Sequence, residues 1–291
     1  MRRLLPLLVL LLVACSSPEE SAAPPEPTRT GTPGTSELPG GPGNSDTAPP
    51  TTAPVPGATP PAWLGTRALP VTASGYGEVR PTPRELRRRR FTLPDRLPML
   101  PGSGFRARVA DPAPDEVVAR STWARGCPVD RSGLAWVRLT FRGFDGARHT
   151  GELLVASPVA DDVVAVFREL WRADFPLEEM RISTPADLEA EPTGDGNNTE
   201  AFVCRPVTGG TSYSQHAYGT AIDVNSFQNP YEKGDVVLPE LASSYLDRGR
   251  VRPGMITADG PVVRAFGAIG WGWGGAWRSL KDYQHFSLND R

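Results

Sequence analysis

Of the three histidines in this 291-residue chain, two lie in blocks that also carry carboxylates. The first block is Ser214-Gln215-His216-Ala217-Tyr218-Gly219-Thr220-Ala221-Ile222-Asp223-Val224-Asn225, and the second is Lys281-Asp282-Tyr283-Gln284-His285-Phe286-Ser287. A catalytic zinc ion is held by three protein ligands, with a fourth position left to water. His216, Asp223 and His285 would supply those three. Such an ion acidifies its water and polarises a scissile carbonyl. An unligated carboxylate must then take the water's proton and pass it to the leaving amine. Asp282, three residues before His285, suits that role.

Other groups carry weaker signals. Ser214 could hydrogen-bond a ligand or substrate, but as a nucleophile it lacks a spare histidine to activate it, so a serine hydrolase is rejected. His149, in Arg148-His149-Thr150, stands apart from both blocks and receives no role. The stretch Gly270-Trp271-Gly272-Trp273-Gly274-Gly275-Ala276-Trp277 sets tryptophans among glycines just before the second block. Trp271 could wall a substrate cleft or pack beneath the metal; the pattern allows both.

His216 with Asp223 seven residues on, followed by Asp282-x-x-His285, resembles the M15 zinc peptidases of peptidoglycan. That family includes D-alanyl-D-alanine carboxypeptidases, D-alanyl-D-alanine dipeptidases of the vancomycin-resistance type and L-alanyl-D-glutamate endopeptidases. The version here, with Asn229-Pro230-Tyr231 following and Asp at 282, is most similar to the endopeptidase-containing branch. The resemblance spans about residues 125 to 291. It implies a zinc cofactor bound by His216, Asp223 and His285, Asp282 as acid/base, and peptidoglycan stem peptides as substrate. It further implies an oxyanion-stabilising arginine upstream of the first ligand, for which Arg205 is the candidate and Arg181 the reserve. The same fold resembles non-enzymatic zinc modules such as hedgehog domains, so a wall-binding lipoprotein with a vestigial site is the rival reading. An acid/base at Asp282 favours the enzyme, because a structural zinc needs none. Carboxypeptidase and endopeptidase are not separated.

Positioning these residues requires a folded domain. Trp136 to Phe141 alternates apolar with polar, as a half-buried strand does, and Asp145-Gly146 turns the chain into a returning strand at Glu152–Ala156. Asp161 and Asp162 open a helix whose Val163, Val166, Phe167, Leu170 and Trp171 share a face, and Pro176 closes it off. Further strands are expected at Ala201–Cys204, Thr220–Val224 and His285–Leu288. The expected class is α+β, a small antiparallel sheet with flanking helices, over residues 101–291.

Upstream, the composition changes. Arg2 and Arg3 precede the apolar run Leu4–Val13, which is too short to span a bilayer and reads as an export signal covering residues 1–14. Leu12-Val13-Ala14-Cys15 resembles a lipobox, so lipidation at Cys15 is expected, with the protein anchored on the outer face of the cytoplasmic membrane and facing the wall. Residues 15–100 are rich in Pro, Gly, Ser and Thr, and are expected to form a disordered tether. Its Arg87-Arg88-Arg89-Arg90 run reads as a solvated charge cluster that could touch anionic lipid or wall polymer. In an exported protein Cys127 and Cys204 are each other's remaining partners; a disulfide or two buried thiols fit. A net charge of -2 gives no reason for a nucleic-acid partner, and a monomer is expected.

Overall fold

A computed structural model describes residues 55–207 and 210–290, all within one compact unit. The expected export signal and Cys15 lie outside the described residues. The framework is an antiparallel sheet of β1 (Ala107–Ala110), β2 (Leu134–Gly143) and β3 (Arg148–Ala156), in that order. The turn between β2 and β3 falls at Asp145-Gly146, where Gly146 has a φ of 75°, a left-handed value glycine adopts without a Cβ penalty. Strand β2 opens apolar and then alternates, with Val137, Leu139 and Phe141 buried on one face and Arg138 and Arg142 half-buried on the other.

A short helix α1 (Asp115–Arg120) precedes β2, and helix α2 (Ala160–Arg172) follows β3 and buries Val163, Val166, Phe167 and Leu170 in the principal core. Each such side chain contributes about 1.5–3 kcal/mol by leaving water. Trp171 differs from its expected place. It sits at the margin of that face, half-buried, with the Arg142 guanidinium 4.0 Å from its ring centre. Beyond α2 the chain forms a two-residue strand at Pro176–Leu177, parallel to the end of β2. Among the described residues no helix is long and apolar enough to cross a membrane.

The second half of the chain builds two three-stranded sheets, beside a parallel pair of Glu179–Met180 with Asn198–Thr199. Taking the labels onward, β4 (Ala221–Asp223), β5 (Tyr231–Lys233), β6 (Val236–Leu238), β7 (Gly272–Trp273), β8 (Lys281–Asp282) and β9 (His285–Ser287) complete the ladders. Strand β9 is flanked by β7 and β4, and β5 by β8 and β6, all antiparallel. Helix α3 (Pro261–Ala268) packs Val262, Ala265 and Phe266 into the same core as α2. The architecture is a mixed α/β domain of small sheets and few helices.

Two expectations need correction. Ala201–Cys204 is not a ladder strand. It is an extended segment tied by single bonds, from Phe202 N–H to Leu154 O (3.0 Å) and from Val203 N–H to His216 O (3.2 Å). The second concerns residues 55–100, which are not a free tether. Leu86, Phe91 and Leu69 form a cluster with Phe227, Tyr245 and Met255 from the far end of the chain. Backbone bonds reinforce it, including Leu69 N–H to Pro192 O (2.7 Å) and Leu93 N–H to Glu178 O (3.0 Å). Nor is the arginine run uniformly solvated. Arg89 is buried, its Nε and Nη2 gripping Glu178 at 2.6 and 2.5 Å while Nη1 donates to Asp195 O at 2.7 Å. Isolated apolar residues between prolines and arginines show no period, so composition alone conceals such a strap.

Candidate metal centre

His216 is set by a short turn and its two ends. Ser214 Oγ accepts the His216 N–H at 3.3 Å and opens the 3-10 turn Gln215–Tyr218. Gly219 ends it at a φ of 69°, and a Cβ there would stand 2.5 Å from Ala156 N. That closeness lets Ala156 N–H donate to Gly219 O at 2.9 Å, bolting the turn to the end of β3. His216 Nδ1 faces Ala201 O at 2.6 Å. A carbonyl can only accept, so Nδ1 carries the proton and Nε2 presents its lone pair inward. The segment that supplies Ala201 is held by the Cys127–Cys204 disulfide, whose Cα atoms are 6.0 Å apart, and by Cys204 N–H on Thr122 Oγ1 at 2.9 Å.

The other two residues arrive on adjacent strands. In the β4–β9 pair His285 lies directly opposite Asp223, which brings their side chains together on one face. The His285 Nδ1–Asp223 Oδ1 distance is 3.0 Å, His216 Nε2–His285 Nδ1 is 3.2 Å and His216 Nε2–Asp223 Oδ1 is 3.3 Å. A tetrahedral ion with ligands at about 2.0–2.1 Å has edges of about 3.3 Å, so this triangle matches one face of a zinc tetrahedron. All three side chains are buried. Burial alone would raise the Asp223 carboxyl, but His216 and His285 beside it hold it well below the usual carboxylate range. A histidine lone pair, a carboxylate oxygen and a second ring nitrogen converging in a buried spot form a donor set that fits zinc.

Asp282 reaches the same neighbourhood from a different sheet. It is the last residue of β8, opposite Tyr231, while His285 opens β9; Tyr283 and Gln284 carry the chain from one sheet to the other. The crossing is pinned by Val224 N–H on Gln284 O at 3.1 Å. Asp282 Oδ1 is buried with no hydrogen-bond partner. Its pKa is pushed up to about 6, first by burial and then by the charge of Asp223, with His285 and Gln284 opposing. A carboxyl with one buried, unpartnered oxygen, titrating near neutrality beside the triad, is placed for proton transfer.

The glycine–tryptophan stretch resolves by residue. Trp271 is 5 % exposed and packs 5.7 Å from the Phe266 ring, which is a core role rather than a cleft wall. Trp273 donates its indole N–H to Tyr283 O at 2.9 Å and so braces the crossing. Trp277, half-buried, stands 5.5 Å from the His285 ring. Gly274 packs directly against Asp282: a Cβ would lie 2.6 Å from Asp282 O and 2.8 Å from Asp282 Cβ. Gly274→Ala is therefore expected to push β8 away and lower peptide turnover at unchanged metal content. Metal analysis with kinetics checks this, and simultaneous loss of metal would show a wider collapse instead.

The arginine candidates bond to other groups. The Arg205 guanidinium donates to Pro206 O at 3.2 Å, and Arg181 forks onto Asp187 at 2.8 and 2.9 Å with Glu179 nearby at 3.3 Å. Among the described residues neither makes a hydrogen bond or ion pair with His216, Asp223, His285 or Asp282. His149 lies between Asp95 and Asp145, at 2.9 and 3.1 Å, away from both blocks in the fold as well.

A set of buried asparagines was missed. Asn225 sits at a φ of 47° and donates to Pro176 O at 2.8 Å, while Asn197 Oδ1 accepts Phe227 N–H at 2.7 Å. Asn229 donates to Gly254 O at 2.9 Å and accepts Ile256 N–H at 2.7 Å. Together they fix the chain that leaves Asp223. The i, i+4 pair Asn225 and Asn229 just after an apolar strand was the available signal, since asparagine tolerates left-handed backbone and bonds to nearby backbone groups.

Residues 208–288, which contain both blocks, match the family model of the M15 peptidases described as D-alanyl-D-alanine carboxypeptidase. That match supports an M15-family peptidase. No solved structure matches the chain.

Proposed function

We propose that the protein is a zinc-dependent peptidase acting on the stem peptides of peptidoglycan. The observation that carries this reading is the convergence of His216, Asp223 and His285 within 3.3 Å, beside a carboxyl at Asp282 whose Oδ1 is buried without a partner. The match to an M15 peptidase family supports the peptide-bond chemistry. Zinc held by the three residues supplies a Lewis acid for a peptide carbonyl and makes a water acidic near neutral pH.

The remaining roles fall to the chain. Ala201 O keeps the His216 proton on Nδ1 and so keeps Nε2 available as a ligand atom. Asp282, as carboxylate, takes the proton of the attacking water at Oδ1; as the acid it then returns that proton to the departing amine nitrogen. Trp277 next to His285 gives the site an apolar flank. Arg205, whose guanidinium donates to the adjacent Pro206 O, stays the candidate for holding the oxyanion, with Arg181, which forks onto Asp187, in reserve. Either a C-terminal residue or an internal stem-peptide bond fits the same chemistry. The proposal extends to an exported protein anchored through Cys15, which would place the domain at the wall.

The test is metal content followed by muropeptide digestion read by mass spectrometry. Purified protein is expected to hold about one zinc per chain, to cleave stem peptides, to stop after chelation and to recover with added zinc. The mass of the product identifies the bond. Zinc binding without cleavage of any muropeptide would make the protein a wall-binding module instead.

A further inference from the structure

A cavity lies at the strap, away from the metal centre. It encloses about 940 Å³ and is lined by Arg84, Arg87, Arg88, Arg250 and Arg252, against only Glu85 and Asp247. Elsewhere in the fold arginines find carboxylates: Arg120 pairs with Glu152, Arg131 with Asp115, Arg142 with Asp174 and Arg181 with Asp187. None of the five cavity arginines makes an ion pair among the described residues. Glu85 and Asp247 share the lining yet lie beyond ion-pair reach of every one of them.

The cavity is built by specific contacts. Its floor is Arg252, whose guanidinium lies 3.6 Å from the Tyr245 ring centre and donates to Ser244 O at 2.6 Å and to Arg87 O at 3.1 Å. Those bonds tie the strap to the 244–252 loop. One wall is set by Arg90 N–H on Gly57 O at 2.9 Å, and Gly57, at a φ of 81°, leaves no room for a Cβ against Arg88 O. Arg84, Arg88 and Arg250 are exposed at the rim, and among the described residues their guanidiniums have no hydrogen-bond partner. Holding like charges around a concavity without counter-charges costs stability, and an anion repays that cost. Guanidinium forks match phosphate oxygens in pairs, and the volume falls within the range of ligand sites.

We propose that this arginine-lined cavity binds a phosphate-bearing anion, independently of peptide hydrolysis at the metal centre. A soluble phosphate ester and a lipid headgroup present the same chemistry, so the test has two arms. In one, the full chain is titrated calorimetrically with tripolyphosphate. In the other, it is sedimented with phosphatidylglycerol vesicles, with phosphatidylcholine vesicles for comparison. The expected result is saturable binding in at least one arm, and the arm that responds identifies the source. Arg84→Glu/Arg250→Glu should weaken it at least about tenfold, whereas Arg108→Glu on the exposed edge of β1 should leave it unchanged. A circular-dichroism melt confirms that each variant is folded. Absence of saturable binding in both arms, binding that survives the double variant, or equal loss in Arg108→Glu would overturn the proposal.

Discussion

Asp282→Asn is expected to abolish most hydrolysis, by about 10²- to 10⁴-fold in kcat, while zinc content and melting temperature stay at the parent values. The amide keeps the shape of the carboxyl but cannot take a proton. Asp282 is not among the three converging ligand residues, so a purely structural account predicts no such split between metal retention and turnover. The parent enzyme should also lose activity in acid. Burial and the Asp223 charge push Asp282 up to about 6, and only the carboxylate can act as base. The rate therefore rises with pH as this group deprotonates. A bound dication lowers the value, which places the limb at or below about pH 6. A pH profile of kcat/KM checks this, and the limb should vanish from the residual activity of the asparagine variant. Wild-type turnover in Asp282→Asn would remove the residue from the mechanism.

Arg89→Ala is the second large effect. Removing the guanidinium leaves Glu178, whose side chain is fully buried, without its bidentate partner. Breaking a buried pair from one side costs about 3–5 kcal/mol, a fall in Tm of roughly 6–20 °C for a domain of this size. The guanidinium also covers the Phe91 and Phe227 rings at 5.0 and 4.5 Å, so packing is lost with the charge. Glu178→Ala should be equally costly, because it strands the arginine. Arg88→Ala, one residue away and exposed, should change stability by no more than about 0.5 kcal/mol. Thermal melts of the three variants decide the matter. Equal melts for Arg89→Ala and Arg88→Ala would mean that the strap contributes nothing to the fold.

That strap shows where sequence reading stops. The β2–β3 hairpin, α2 and the two strands bearing Asp223 and His285 were legible because each rests on local information: alternation, a helical period, a glycine turn. Residues 64–100 carry no such period. Their apolar side chains are buried against Phe227, Leu241, Ala242, Tyr245 and Met255, more than a hundred positions away, and no local pattern encodes a contact of that range. Arg89 illustrates the same limit. Within a run of four arginines it is chemically indistinguishable from its neighbours, and only Glu178 makes it a core residue.

At the metal centre the division is equally sharp. Residue type and spacing in two short blocks singled out His216, Asp223, Asp282 and His285, because few side chains can bind zinc or move a proton. Sequence alone also established that Cys127 and Cys204 could pair and that nothing in the charge favours nucleic acid. Tertiary structure decided how the groups meet. Strand register sets His285 opposite Asp223, a carbonyl chooses the His216 tautomer, and a change of sheet separates Asp282 from His285 three residues on. It also parted Trp271, which is core, from Trp277, which borders the triad. The physical reason is common to all of these. Chemistry resides in side-chain identity and is written locally, whereas distance, burial and protonation are set by neighbours that only the folded chain brings together.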